Sequence, residues 1–190
     1  MLTFLLCTLY LIMIEVTVKP QWKRAALKEA EEMGALRKSI TNGAGNLAGF
    51  VGERVVADYL NVKKANTYQY DLVTKKEKTY DVKTKRCKFK PLPNYTVSVC
   101  ALNTKQDCDA YIFVRVDNEM KNAWILGYMP KKEFYKKAKF CKRGDIDPDS
   151  NCNWRFREDC YNMYIKDLKN ISDLKVKKQK VIIKKKTRSK

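Results

Sequence analysis

Around residue 60 the apolar positions of this chain change period, and that change limits the possible folds more than any other feature. Upstream, the spacing is helical. Residues 21–38 (QWKRAALKEAEEMGALRK) follow Pro20 and set Trp22, Ala26, Ala30, Met33 and Leu36 at the intervals of an amphipathic helix. A second helix is expected over about 46–60, with Leu47, Phe50, Val51, Val55, Ala57 and Leu60 as its apolar residues. Downstream, the period is two, which is the signature of strands. TYQYDLV (67–73) and TYDVKTKR (79–86) read as paired strands around the lysine-rich turn KKEK. TVSVCAL (96–102) is a third strand after the breaker PLPN. DAYIFVRVD (109–117) is a fourth and the most apolar, hence central, and AWILGYM (123–129) is a fifth. Pro130 opens a helix, KKEFYKKAKF, and 141–160 read as irregular. Helix, helix, strands, helix predicts an α/β (α+β) domain around one mixed sheet.

The 190 residues are 45% apolar, enough for one domain with a core. Forty Lys and Arg against 21 Asp and Glu leave a net charge of +19. Such a field favours phosphate polymers or anionic membranes as partners. Residues 166–190 hold 11 basic and two acidic residues, and read as a basic tail beyond a domain over 15–165. This tail fits a solvated end, a clamp on phosphates, or both. The chain has no histidine, which excludes Ser-His-Asp and Cys-His triads and imidazole-activated water. Any chemistry must run on carboxylates, lysines, hydroxyls, thiols or a metal.

Residues 1–14 (MLTFLLCTLYLIMI) form an apolar run that is short for a spanning helix, which needs about 20 residues. It lacks a basic leader and a small-residue cleavage site. The expectation is an extension from a misplaced start, with Met13 as the true start, and a membrane anchor is the alternative. The seven cysteines have no CxxC spacing, so reduced thiols in a cytoplasmic protein are expected rather than a disulfide framework. Cys141, Cys152 and Cys160 are either separate packing thiols or zinc ligands with a fourth group. Gly43, Gly45, Gly49 and Gly52 cluster before and within the second helix. They fit tight packing or the approach of a phosphate to backbone amides.

The hairpin carries the chemistry. If its loop is symmetric about Lys76, Asp71 lies opposite Asp81. Asp81 and Lys83 then share a face, while Tyr70, Leu72, Tyr80 and Val82 turn to the core. Opposed like charges destabilise a sheet, so their retention points to a divalent cation between them. Such an ion can neutralise a scissile phosphate and activate a water, with Lys83 beside it stabilising the developing charge.

A helical Glu at 53, then Asp71, then Asp81-Val82-Lys83 resembles the PD-(D/E)XK nuclease superfamily, whose fold is restriction-endonuclease-like. Tyr70 stands where the pattern has a proline, a position that varies widely in the superfamily. The resemblance covers about 46–140. It implies a mixed central sheet flanked by helices and an Mg²⁺-dependent DNA endonuclease, with Mn²⁺ able to substitute. Glu53, Asp71 and Asp81 would be the metal ligands, and Lys83 would assist the attacking water. It also implies a double-stranded or branched DNA substrate and a homodimer, as in homing endonucleases, junction resolvases and phage or mobile-element nucleases. No small-molecule cofactor is expected. Asn46, Arg54, Lys85, Arg86 and Lys88 are the candidate DNA contacts, and Gln106 could reach the edge of the site. The competing readings are a non-catalytic nucleic-acid-binding module and a basic protein on anionic lipid.

Overall fold

The computed structural model describes residues 13–33, 46–65, 67–103, 105–147 and 155–175. In chain order they form β1 (Ile14–Thr17), α1 (Pro20–Met33), α2 (Asn46–Leu60), β2 (Lys63–Lys64), β3 (Leu72–Val73) and β4 (Thr79–Cys87). Then come β5 (Thr96–Cys100), β6 (Ala110–Asp117), β7 (Asn122–Pro130), α3 (Lys131–Lys137), β8 (Lys139–Cys141) and β9 (Cys160–Tyr164). The fold is mixed α+β. A six-stranded sheet runs β1-β7-β6-β4-β3-β2, with β4 and β6 parallel and the other pairs antiparallel. A separate antiparallel sheet runs β5-β9-β8. The expectation of one sheet is therefore corrected: TVSVC leaves the main sheet and pairs with β9.

The period-two pattern explains the layers. Ile112, Val114 and Val116 of β6 join Tyr80 and Val82 of β4 on one face, where Val51, Val55 and Val56 of α2 cover them. Tyr111 and Phe113 face the other way with Trp124 and Leu126, against Val97, Val99, Phe134, Met163 and Ile165. Phe134 meets Tyr111 edge-on at 5.5 Å between ring centroids. β6 is interior and almost wholly buried, as its composition predicts.

The helix expected over 21–38 is α1 as far as Met33, and 34–45 lie outside the described residues. Packing extends past 15–165 at both ends. Met13 and Ile14 lie against the two cores, and Leu168 and Ile171 are buried. Gly127 makes room for this last segment. Its φ is +146°, and a Cβ there would stand 2.6 Å from the Lys169 carbonyl oxygen. Residues 1–12 and 176–190, with most of the basic tail, lie outside the described residues. Among the described residues no helix is long and apolar enough to cross a membrane. Cys141 and Cys160 oppose each other on β8 and β9 as free thiols, buried beside Phe156. Cys152 lies outside the described residues.

Candidate active site at the open edge of strand β4

The hairpin keeps the register of the alternation argument: Leu72 pairs with Tyr80 and Val73 with Thr79. Only Leu72 and Val73 are strand, although the alternation begins at Thr67. The reason is local. The Thr67 hydroxyl accepts from the Tyr70 amide at 3.1 Å and donates to the Tyr70 carbonyl at 2.8 Å, which folds 67–70 into a turn. Tyr70 thereby packs on the second core and not with Leu72, contrary to expectation.

β4 thus outruns its neighbour. Past Asp81, no strand pairs with its outer edge among the described residues. Asp71 ends that pairing with its side chain: its Oδ2 accepts from the Val82 amide at 2.6 Å. Several of the candidate residues collect around this edge. Glu53 reaches it from α2, and Asp71 from the start of β3. Asp81, Lys83 and Lys85 alternate along β4 on the face of Tyr111 and Phe113. A cleft of about 1050 Å³ opens here, lined by Asn46, Glu53, Asp71, Lys83, Lys85 and Gln106 among others.

Asp81 is 2% exposed. The Lys83 ammonium stands 2.6 Å from its Oδ2, at an angle that makes no hydrogen bond, so this buried oxygen has no hydrogen-bond partner. Lys83 donates instead to the Gln106 side-chain oxygen at 2.9 Å. Burial, then the charges of Asp81 and Glu53, push the Asp71 carboxyl up to about 8. Burial also raises Glu53, against the opposing pull of Lys64, whose ammonium is 2.8 Å away. Asp71 is therefore the carboxyl that burial and two neighbouring carboxyls together hold back from ionising.

Not every candidate points into this site. Arg54 is held by Glu29 of α1 in a two-pronged ion pair, at 2.8 Å on each side. It braces the two helices, and it is the main cause holding the Glu29 carboxyl down at about 2. Lys85 pairs with buried Asp147 at 2.9 Å on the cleft wall. Arg86 belongs to the opposite face of β4 and donates to the Asn118 carbonyl at 3.1 Å. Lys88 is exposed over the Phe89 ring. Asn46 begins α2 and lines the cleft. Lys64, Glu29 and Asp147 were not foreseen. Their partners lie on other elements, up to 62 residues away, and no local pattern marks them.

The shift of Asp71 has a direct consequence for stability. Its carboxyl titrates from 3.8 as an isolated side chain and near 8 in the fold. Between those values the unfolded chain has released the proton and the folded chain keeps it. The contribution of Asp71 to cation-free stability is therefore greatest below this window and falls as pH rises through it. Glu53 adds to the fall, because it too is raised. Asp71→Asn is expected to flatten the decline, seen as a smaller drop in melting temperature between about pH 5 and pH 8. Parallel declines in the two proteins would refute this assignment.

No protein-family model matches the chain, and no curated protein matches it significantly.

Proposed function

We propose that the protein is a metal-dependent endonuclease that hydrolyses phosphodiester bonds in DNA, using Glu53, Asp71, Asp81 and Lys83. The observation that carries this reading is an Asp71 carboxyl whose ionisation burial and the Asp81 and Glu53 carboxyls oppose, with Lys83 against Asp81, beside a cleft at an open strand edge of a strongly basic protein. The restriction-endonuclease-like fold belongs to the proposal. It is supported by a Glu-bearing helix packed on the strand that carries Asp81-Val82-Lys83, and by the antiparallel hairpin that sets Asp71 at the same edge.

The residues suit a hard divalent ion. Asp81 Oδ2 is a buried carboxylate oxygen that the Lys83 ammonium neighbours without a hydrogen bond, and the charges of Asp81 and Glu53 that add to burial in raising Asp71 are what a cation offsets. Among the described residues no group of three or more acidic or thiol side chains is assembled to hold an ion. Mg²⁺ takes one or two carboxylates and fills its sphere with water and phosphate oxygens. Asp71 and Asp81 are the proposed ligands, and Glu53 joins them when released by Lys64; Mn²⁺ can substitute. The ion supplies charge neutralisation on the phosphate and lowers the pKa of a bound water.

The chain supplies the rest. Lys83 is fixed by Gln106 and drawn by Asp81, so its ammonium is preset to stabilise charge developing on the phosphate. Lys85 lines the cleft one alternation further along β4. The net charge draws in a polyanion by a sequence-independent, salt-dependent attraction. One such site cuts one strand, so cleavage of a duplex calls for two copies.

The test is incubation with supercoiled plasmid, a Holliday junction, a flap and a single strand, each with Mg²⁺, Mn²⁺ or EDTA. Cleavage of at least one substrate with either ion and none in EDTA is expected. DNA binding without cleavage of any of them would replace the nuclease with a binding module.

A further inference from the structure

The turn that ends β3 early also displays an aromatic ring at the mouth of the cleft. Tyr68 is 74% exposed, more than any other large hydrophobic side chain among the described residues, and it lines the same cleft as Asp71 and Lys83. Its backbone is tied down on both sides. The Tyr68 carbonyl accepts from the Gln106 side-chain amide at 3.2 Å, and the Gln69 side-chain oxygen accepts from the Asp107 amide at 2.7 Å. Thr67 closes the turn onto Tyr70. Gln106 is also the residue that receives the Lys83 ammonium. A single amide side chain thus ties the ring's backbone to the lysine assigned to the phosphate.

A ring held in water by a pinned loop gains nothing for the fold. It offers an open aromatic face to a ligand. Every nucleobase has a complementary π-face, but in a continuous duplex both faces are already stacked on neighbouring pairs. Only an unpaired or displaced base has a face to give. Resting on the nuclease reading of the site, we propose that Tyr68 is a stacking platform for an unpaired base next to the scissile phosphate. The cleft then prefers DNA with a single-stranded or unpaired nucleotide over an uninterrupted duplex.

The test is fluorescence anisotropy with labelled oligo(dT) and with a labelled blunt duplex, both in EDTA so that nothing is cut. Tyr68→Ala is expected to weaken oligo(dT) binding about 5- to 100-fold and to change duplex binding less than about twofold. Tyr68→Phe keeps the ring and should bind oligo(dT) like wild type. Phe89 is 69% exposed but does not line the cleft, so Phe89→Ala should also match wild type. The inference is overturned if wild type fails to bind oligo(dT), or if Tyr68→Ala binds it like wild type. Equal losses on strand and duplex, a loss in Tyr68→Phe as large as in Tyr68→Ala, or an equal loss in Phe89→Ala would overturn it too. The readout does not need cleavage. A selective loss in Tyr68→Ala from a wild type that cuts nothing would keep the stacking role and remove the nuclease. A cutting enzyme indifferent to Tyr68 would do the reverse.

Discussion

Asp81→Ala should abolish cleavage, by about a thousandfold or more, while leaving the fold and DNA binding intact. The size follows from what a metal-held carboxylate does: losing the ion's neutralisation of the phosphate costs several kcal/mol, and each 1.36 kcal/mol is about tenfold in rate. On the nuclease reading, binding should hold or tighten, because a negative charge is removed from beside the phosphate. Two opposing effects set the stability of this variant. Asp81→Ala breaks the 2.6 Å ion pair with Lys83, which costs stability, and removes a charge that opposes the ionisation of Asp71, which restores some. Lys83 keeps its contact to Gln106. Thermal melts separate this from simple unfolding: the variant should still melt in one cooperative transition, and its deficit against wild type should narrow as pH rises toward about 8, where the repulsion on Asp71 is greatest. Lys83→Ala should lose cleavage as well, with a smaller deficit. If both variants turn substrate over like wild type, the catalytic reading is wrong.

The part of this site that the sequence revealed is the part set by alternation. Tyr80 and Val82 have to face a core, so Asp81 and Lys83 have to share the other face, and symmetry about Lys76 puts Leu72 opposite Tyr80. The same rule assigns Arg86 to the face of Tyr80 and Val82, away from the cleft, so that displacement was legible too. What was hidden is non-local or cuts across the pattern. TVSVC alternates equally well in either sheet, and only β9, some sixty residues later, decides its partner. The Arg54 guanidinium looks free in sequence because Glu29 lies on a different helix. Thr67 cuts the first strand short through its own hydroxyl, a local competition that apolar periodicity does not register. The basic character of 166–175 obscured Leu168 and Ile171, whose apolar side chains make this stretch part of the core.

Gly52→Ala is expected to damage both the fold and the site, although it adds one methyl group to a helix. The new Cβ would stand 2.1 Å from Thr84 Oγ1 and 3.2 Å from Thr84 Cβ and Cγ2 on β4. A β-branched side chain has little χ1 freedom, and rotating the hydroxyl away only brings the methyl in. The helix must therefore lift from the strand. Overpacking of this kind costs about 1–3 kcal/mol, against about 1 kcal/mol gained in helix propensity, so a net loss of up to about 2 kcal/mol is expected in urea melts. The loss in cleavage should be larger than the loss in stability. Glu53 follows Gly52 directly, and a misplacement of about 1 Å at a reacting centre can cost about a hundredfold. Gly49→Ala is the contrast, since nothing lies within 4 Å of its added Cβ; the gain of up to about 1 kcal/mol should then appear undiminished. Thr84→Ala removes a buried hydroxyl that has no hydrogen-bond partner, so alone it should be nearly neutral. Combined with Gly52→Ala, it should restore most of the stability and most of the cleavage, a coupling that only direct contact produces. A Gly52→Ala protein as stable and active as wild type, or a double variant no better than Gly52→Ala alone, would mean that this close approach does not position Glu53.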